Sequence, residues 1–142
     1  MSSPPFDLHP QLLADTHFLC DLGLARVLLM DDARYAWLIL VPRRAGMRDW
    51  IDLPRAEQHR LLDEVESCSH ALRAVAHPDK LNVAALGNMV PQLHVHVVAR
   101  HVDDAAWPRP IWGIGERVPY AADPLVARKA ELLALLGIDM RG

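Results

Sequence analysis

The segment from Gln92 to Arg100 carries polar residues at alternate positions, with one break at Val98: Gln-Leu-His-Val-His-Val-Val-Ala-Arg. Side chains at positions i, i+2 and i+4 of an extended strand point to the same face. The polar residues therefore share one face of a predicted strand: Gln92, His94, His96 and Arg100. The apolar residues bury the other face: Leu93, Val95, Val97 and Ala99. Two imidazoles, an amide and a guanidinium on one rigid strand are suited to binding a phosphorylated ligand.

The central histidine of this segment is a candidate nucleophile. An imidazole titrates near neutrality, so a useful fraction is unprotonated and can attack phosphorus. Attack of His94 on an α-phosphate would give a nucleotidyl-histidine, which water then hydrolyses. Such a scheme also needs a group at the leaving oxygen and donors for the non-bridging oxygens. His96 and Gln92 are predicted to supply them, each roughly 6–7 Å from His94 along the strand.

The same His-x-His spacing also fits a zinc site, since neighbouring imidazoles on a strand can reach one ion. A third ligand would be required, and its candidates are Asp31, Asp32, His17 and His101. No spacing marks any of these residues, so we favour phosphate chemistry with no metal and no obligatory cofactor. A purely structural role for either strand histidine is the remaining alternative.

The composition predicts a single globular domain over residues 1–142. Hydrophobic residues make up 51% and charged residues 23%, and the net charge of -3 argues against a nucleic acid polymer as partner. Cys20 and Cys68 belong to no disulfide framework or metal-binding motif. The N-terminus lacks the pattern of a secretion signal, and the longest apolar run, 35–41, is too short to cross a bilayer. We therefore expect a cytoplasmic protein without membrane association.

Hydrophobic periodicity predicts the elements that position the histidine strand. Strands are predicted within 18–30 and over 35–41, 80–86 and 92–100. A long amphipathic helix begins at Pro54 and runs to about Ala76, with apolar residues mostly three and four apart. The Trp- and Pro-rich segment 105–113 is predicted to be a packed loop, and a last helix follows Pro124. This order predicts an α+β domain with a mainly antiparallel sheet.

These motifs resemble the histidine triad (HIT) superfamily of nucleotide hydrolases and transferases, whose signature is His-φ-His-φ-His-φ-φ with φ apolar. This chain has Gln-Leu-His-Val-His-Val-Val. Upstream, Gly87-Asn88 and Val90 resemble the family's Gly-Gln-x-Val lead-in, and Asn82 sits where an asparagine is often found. The strand that ends at Pro42-Arg43-Arg44 resembles the one that precedes the family helix. The resemblance covers about residues 16–101.

The resemblance implies a HIT-like fold with a five-stranded sheet, usually as a homodimer, with the Trp/Pro loop and C-terminal helix in 102–142. It implies hydrolysis of a dinucleoside polyphosphate or nucleoside phosphoramidate through a nucleotidyl-histidine. His94 matches the nucleophile, and His96 matches the histidine that binds phosphate or the leaving group. Asp31 or Asp32 matches the ribose-contacting residue. With the strand arginine added, the expected nucleotide-binding residues are Asp31, Asp32, Asn82, Asn88 and Arg100.

Two positions depart from the family pattern. Gln92 stands at the first triad position, and glutamine can donate to an oxygen but cannot carry a proton at neutral pH. A nucleotide-binding module with weakened catalysis is therefore the alternative function. Trp37 stands where many members have histidine, and we expect it in the core or at a base pocket. Trp107 and Trp112 are expected either to pack on the domain or to stack on a nucleobase.

Overall fold

The computed structural model describes residues 5–138 and contains one five-stranded antiparallel sheet. Its strands are β1 (Thr16–Asp21), β2 (Ala25–Met30), β3 (Trp37–Pro42), β4 (Lys80–Ala84) and β5 (Val95–Arg100). The helices are α1 (Pro10–Asp15), α2 (Arg55–Ala76) and α3 (Ala122–Leu135), with a 3-10 turn at Trp50–Asp52. The spatial order of the strands is β1-β2-β3-β5-β4. The predicted α+β class, five-stranded sheet, long helix and C-terminal helix are confirmed.

The histidine strand is shorter than predicted. β5 begins at Val95, where it pairs with Leu40 of β3, and not at Gln92. The Leu93 amide, two residues before the strand, donates to the carbonyl of Met47. Leu93 nevertheless packs in the same apolar layer as Val95 and Val97, so the alternation of side chains continues beyond the paired residues.

One face of the sheet packs against α2. The apolar residues of β5 and the preceding Leu93 lie in this layer as predicted, beside apolar residues of α2: Leu93, Val95, Val97 and Ala99 against Leu61, Val65, Cys68 and Leu72. Pro54 lies at the N-cap of the helix, and His77 ends it in the left-handed region at φ 47°. This helix and α3 make a continuous apolar cover, so this face contributes stability and not access to ligand.

The other face of the sheet is covered by irregular segments. A smaller apolar cluster here includes Leu12 of α1, Ile39 of β3, Val98 of β5 and Ile111 of the segment after β5. The polar side chains of β5 point into this layer. Because short and irregular segments pack less completely than a long helix, this face is the one that keeps an open cavity. Within residues 5–138, no helix is long and apolar enough to cross a membrane.

Candidate functional site

A cavity of about 580 Å³ lies on the second face of the sheet, within the size range of small-molecule sites. His94 and His96 form part of its wall, with Ile39 of β3 beside them. The loop of residues 86–90 lines it, as does the N-terminal arm, which we define as residues 5–15. Trp112 lines it from the segment after β5. The two predicted catalytic histidines are thus together in one cavity.

His94 has its tautomer fixed by a main-chain carbonyl. Its side chain is buried, with 6% exposed, and Nδ1 lies 2.7 Å from the carbonyl oxygen of Gln92. A carbonyl can only accept, so Nδ1 carries the proton and Nε2 is left unprotonated. Burial lowers the pKa of His94. The hydrogen bond to the Gln92 carbonyl raises this pKa by less than burial lowers it, and a charge on His9 would lower it further. His94 is therefore a neutral imidazole with its lone pair on Nε2.

His96 has the opposite tautomer. The indole Nε1 of Trp37 donates to Nδ1 of His96 over 3.0 Å, so the proton of the neutral ring is on Nε2. Burial lowers the pKa of His96 to about 3, and neighbouring His94 adds to the shift. The two imidazole centroids lie 4.9 Å apart. Trp37 is a core residue, as one prediction had it, and it also orients His96.

Gln92 does not present its amide to this cavity. Its Oε1 accepts from the backbone amide of His9 at 2.9 Å, and its Nε2 donates to the carbonyl of Asp7 at 2.8 Å. It lines a neighbouring depression with Met47 and Arg48. The predicted role of Gln92 at the phosphoryl oxygens is therefore corrected: its amide is engaged by the main chain of the N-terminal arm, and it is not among the described residues that line the cavity of His94 and His96.

Arg100 lies at the far end of β5, where its guanidinium makes three hydrogen bonds. The side chain is 2% exposed and donates to Asp104 at 2.7 and 3.0 Å and to Asn82 at 2.8 Å. Asn82 is thereby held at the arginine and not at the histidines. The structure places both residues apart from the cavity, although the sequence analysis expected them at the nucleotide.

The two predicted ribose-binding carboxylates are also engaged elsewhere. Asp31 lies 3.0 Å from Nε2 of His17 and accepts from the backbone amide of Tyr120. Asp32 is buried, pairs with Arg34 and accepts from the backbone amide of Val118. Neither is among the described residues that line the cavity.

A different carboxylate, that of Asp15 in the N-terminal arm, does line the cavity, as does the predicted Asn88. Sequence reasoning missed Asp15, and it missed His9 of the same arm. Neither belongs to a periodic pattern, and both are brought to the site only by tertiary packing. Trp112 lies against His96 with ring centroids 5.1 Å apart, while Trp107 packs under the guanidinium of Arg100.

The candidate third zinc ligands are likewise separated from the strand histidines. His101 contacts the carbonyl of Ala76 through Nε2 at 2.8 Å, and His17 contacts Asp31. Within residues 5–138, no three His, Cys, Asp or Glu residues are grouped closely enough to hold a metal ion.

Comparisons with known proteins identify the fold family. A model of the HIT domain matches residues 11–103, which is more than half of the chain. A histidine triad protein from Marinobacter aquaeolei VT8 is 47% identical, with a TM-score of 0.92 and coverage of 94% of this chain and 98% of that chain. One from Bradyrhizobium japonicum is 44% identical, with a TM-score of 0.92 and coverage of 94% and 99%. One from Sinorhizobium meliloti 1021 is 37% identical, with a TM-score of 0.89 and coverage of 91% and 96%.

No curated protein sequence matches this chain at a significant level. The family match nevertheless extends across all five strands and α2, and it contains both His94 and His96. Three solved structures of histidine triad proteins share more than a third of their residues with it over nearly their whole length. The chain therefore belongs to the histidine triad (HIT) family.

Proposed function

We propose that this protein is a nucleotide phosphohydrolase that acts on a dinucleoside polyphosphate or a nucleoside phosphoramidate. One observation carries the proposal: two neutral imidazoles of opposite tautomer line the same cavity. One ring offers an unprotonated nitrogen and the other an N–H donor, which are the two groups that an attack on phosphorus requires.

In the proposed reaction, Nε2 of His94 attacks the α-phosphorus and forms a P–N bond. The bond from phosphorus to the leaving group breaks, and the leaving group departs with the electron pair. The ring then bears a positive charge, which the carbonyl of Gln92 stabilises at Nδ1–H. Nε2–H of His96 donates to a non-bridging oxygen. Water next attacks phosphorus and loses a proton to solvent, the P–N bond breaks with its electron pair returning to Nε2, and the nucleoside monophosphate leaves His94 neutral again.

In this proposal Gln92 occupies the first position of the triad, and the glutamine side chain is compatible with the reaction. The contact that supports His94 comes from the main chain of residue 92, so any side chain at that position leaves it in place. Asp15, which lines the cavity, takes the place of Asp31 or Asp32 as the carboxylate for the ribose hydroxyls. Asn88 lies in the same wall and binds the phosphate chain.

The proposal includes turnover without an obligatory metal or cofactor, a homodimer, and a cytoplasmic location with no nucleic acid polymer or membrane as partner. Light scattering of the purified protein tests the dimer. Elemental analysis tests the metal: stoichiometric zinc would favour the His-x-His metal site in place of phosphate chemistry.

A substrate panel and one substitution test the hydrolase. Adenosine phosphoramidate and dinucleoside polyphosphates are incubated with the protein, and AMP release is followed by chromatography. His94→Ala should reduce turnover by about 10³-fold or more while the far-UV spectrum stays unchanged. His59→Ala, on the exposed side of α2, is the matched control. Mass spectrometry of the quenched wild type should detect an adenylyl adduct, and equal turnover in the His94 variant would refute the mechanism.

The second candidate function is nucleotide binding without efficient turnover. It is favoured by the lowered pKa values of both histidines, because neutral rings do not readily protonate a leaving group. Calorimetry with AMP and ADP, run beside the turnover assay, separates the two functions. Binding without turnover on the whole panel would favour the binding module.

A further inference from the structure

The N-terminal arm brings a third imidazole to the cavity. His9 lines the same cavity as His94 and His96, although it is 83 residues before Gln92 in the chain. Its effect on the pKa of His94 reflects their proximity. The proposed reaction at His94 and His96 does not use the His9 ring.

Gln92 holds the arm in this position. Its amide accepts from the backbone amide of His9 and donates to the carbonyl of Asp7, so the two hydrogen bonds bracket Leu8. A glutamine amide supplies one acceptor and one donor at the same end of a side chain, which is what two main-chain groups of opposite polarity require. The residue next to the strand histidines therefore determines where His9 lies.

The tautomer of His9 follows from the start of α1. His9 is the N-cap of this helix, and its Nδ1 accepts from the backbone amide of Gln11 at 3.0 Å. An accepting Nδ1 is unprotonated, so the neutral ring carries its proton on Nε2. The ring is therefore a donor at the nitrogen that the cap leaves unused, as His96 is.

We propose that His9 is a catalytic residue whose Nε2–H donates to an oxygen of the phosphate chain bound over His94. The inference rests on the proposed nucleotide site and adds to that site a third imidazole, which comes from the N-terminal arm. The side chain at the first triad position then acts as a positioning residue, which delivers a histidine from the arm in place of supplying one itself.

Two substitutions of His9 distinguish the capping role of Nδ1 from the donor role of Nε2. His9→Asn keeps an acceptor near the position of Nδ1, caps helices well and removes the Nε2 donor. His9→Gln keeps a donor near the position of Nε2 and removes the cap. AMP affinity is measured by calorimetry for both variants, with His59→Ala as the control on α2.

We expect His9→Asn to weaken AMP binding by about 10-fold or more, the effect of losing a hydrogen bond to a charged group, and His9→Gln by less than about threefold. A purely structural cap predicts the reverse order, and that order would overturn the proposal. Equal affinity in both variants and the wild type would also overturn it. Gln92→Ala, which releases the arm, should weaken binding in the same direction as His9→Asn.

Turnover is recorded on the same samples, so the two proposals can fail separately. If the wild type binds AMP but hydrolyses no member of the panel, the hydrolase is refuted, and the order of the His9 variants still decides the role of His9. If the wild type binds no AMP, both the nucleotide site and the role of His9 are overturned.

Discussion

The two ends of β5 bury polar side chains in opposite ways. At its C-terminal end, Arg100 donates to Asp104 and Asn82, so a buried charge has partners for most of its donors. At its N-terminal end, the hydrogen bonds of the described residues use only Nδ1 of His94 and of His96. A buried polar group with all its partners inside the protein contributes to the fold. A buried polar group with one nitrogen left to a cavity is available to a ligand.

The largest expected effect is at the arginine end. Asp104→Ala leaves Arg100 buried beside one neutral partner, and removing one member of a buried pair costs about 3–5 kcal/mol. Urea denaturation of this variant should show that loss in the free energy of unfolding. Asp103→Ala, at an exposed position next to it, should change little. A loss below about 1 kcal/mol for Asp104→Ala would remove the distinction between the two ends.

The two ends of β5 should lose stability at different pH values. Burial lowers the pKa of His94 and holds that of His96 at about 3, while the unfolded chain returns both to about 6.5. Below pH 6.5 the unfolded state binds protons that the folded state does not, so stability is complete above 6.5 and falls as pH decreases toward 3. Each ring contributes at most about 1.4 kcal/mol per pH unit.

At the other end, Arg100 and backbone amides hold the pKa of Asp104 well below its usual range. Its contribution is present above about pH 4 and is lost only below that value. Urea midpoints between pH 6.5 and 4.5 therefore report the histidine end. His96→Asn, which keeps an acceptor for Trp37, should flatten that slope. An unchanged slope in this variant would mean that other groups cause it.

A smaller effect is expected from the group that orients His96. Trp37→Phe removes the indole donor and should cost about 1–2 kcal/mol of stability. Without that donor the ring no longer has one fixed tautomer, so turnover should fall by about 10-fold with AMP affinity less affected. Trp112→Phe, at a residue that lines the cavity without this hydrogen bond, is the comparison variant. Equal turnover in Trp37→Phe and the wild type would show that His96 needs no fixed tautomer.

The smallest effect is expected at Asn82. Asn82→Ala removes one of the acceptors of Arg100, and Asp104 retains the rest, so the loss should be about 1 kcal/mol. AMP affinity should be unchanged, because Asn82 does not line the cavity. A clear loss of affinity with unchanged stability would return this residue to the nucleotide site, as the sequence analysis expected.

Sequence periodicity predicted the regular secondary structure of this protein. Alternation identified the core face of β5 through Val95 and Val97, and three- and four-residue spacing identified α2. Periodicity does not report whether a polar side chain finds a partner. Periodicity therefore predicted the same ligand-binding role for Arg100 and His96. In the structure, Asp104 of the following loop forms an ion pair with Arg100, and His96 has no such partner among the described residues.

The remaining errors in the predicted site residues come from segments whose sequence shows no hydrophobic periodicity. Gln92 lies before the first paired residue of β5, and its direction depends on the main chain of the arm. His9 is the N-cap and Asp15 the last residue of the six-residue helix α1, and the local sequence signal for this helix is Pro10 at its start. Contacts of this kind are set by tertiary packing and have no signature in neighbouring residues.

The cavity also extends beyond the part of the chain that defines the family. The HIT match begins at residue 11 and ends at 103, so His9 and Trp112 both lie outside it. The lining of one cavity therefore comes from two parts of the chain: the strand histidines lie within the shared domain, and His9 and Trp112 lie outside it. Relatives with the same strand motif can acquire different ligand preferences through these flanking segments alone. Comparisons restricted to the shared domain would not register such a change.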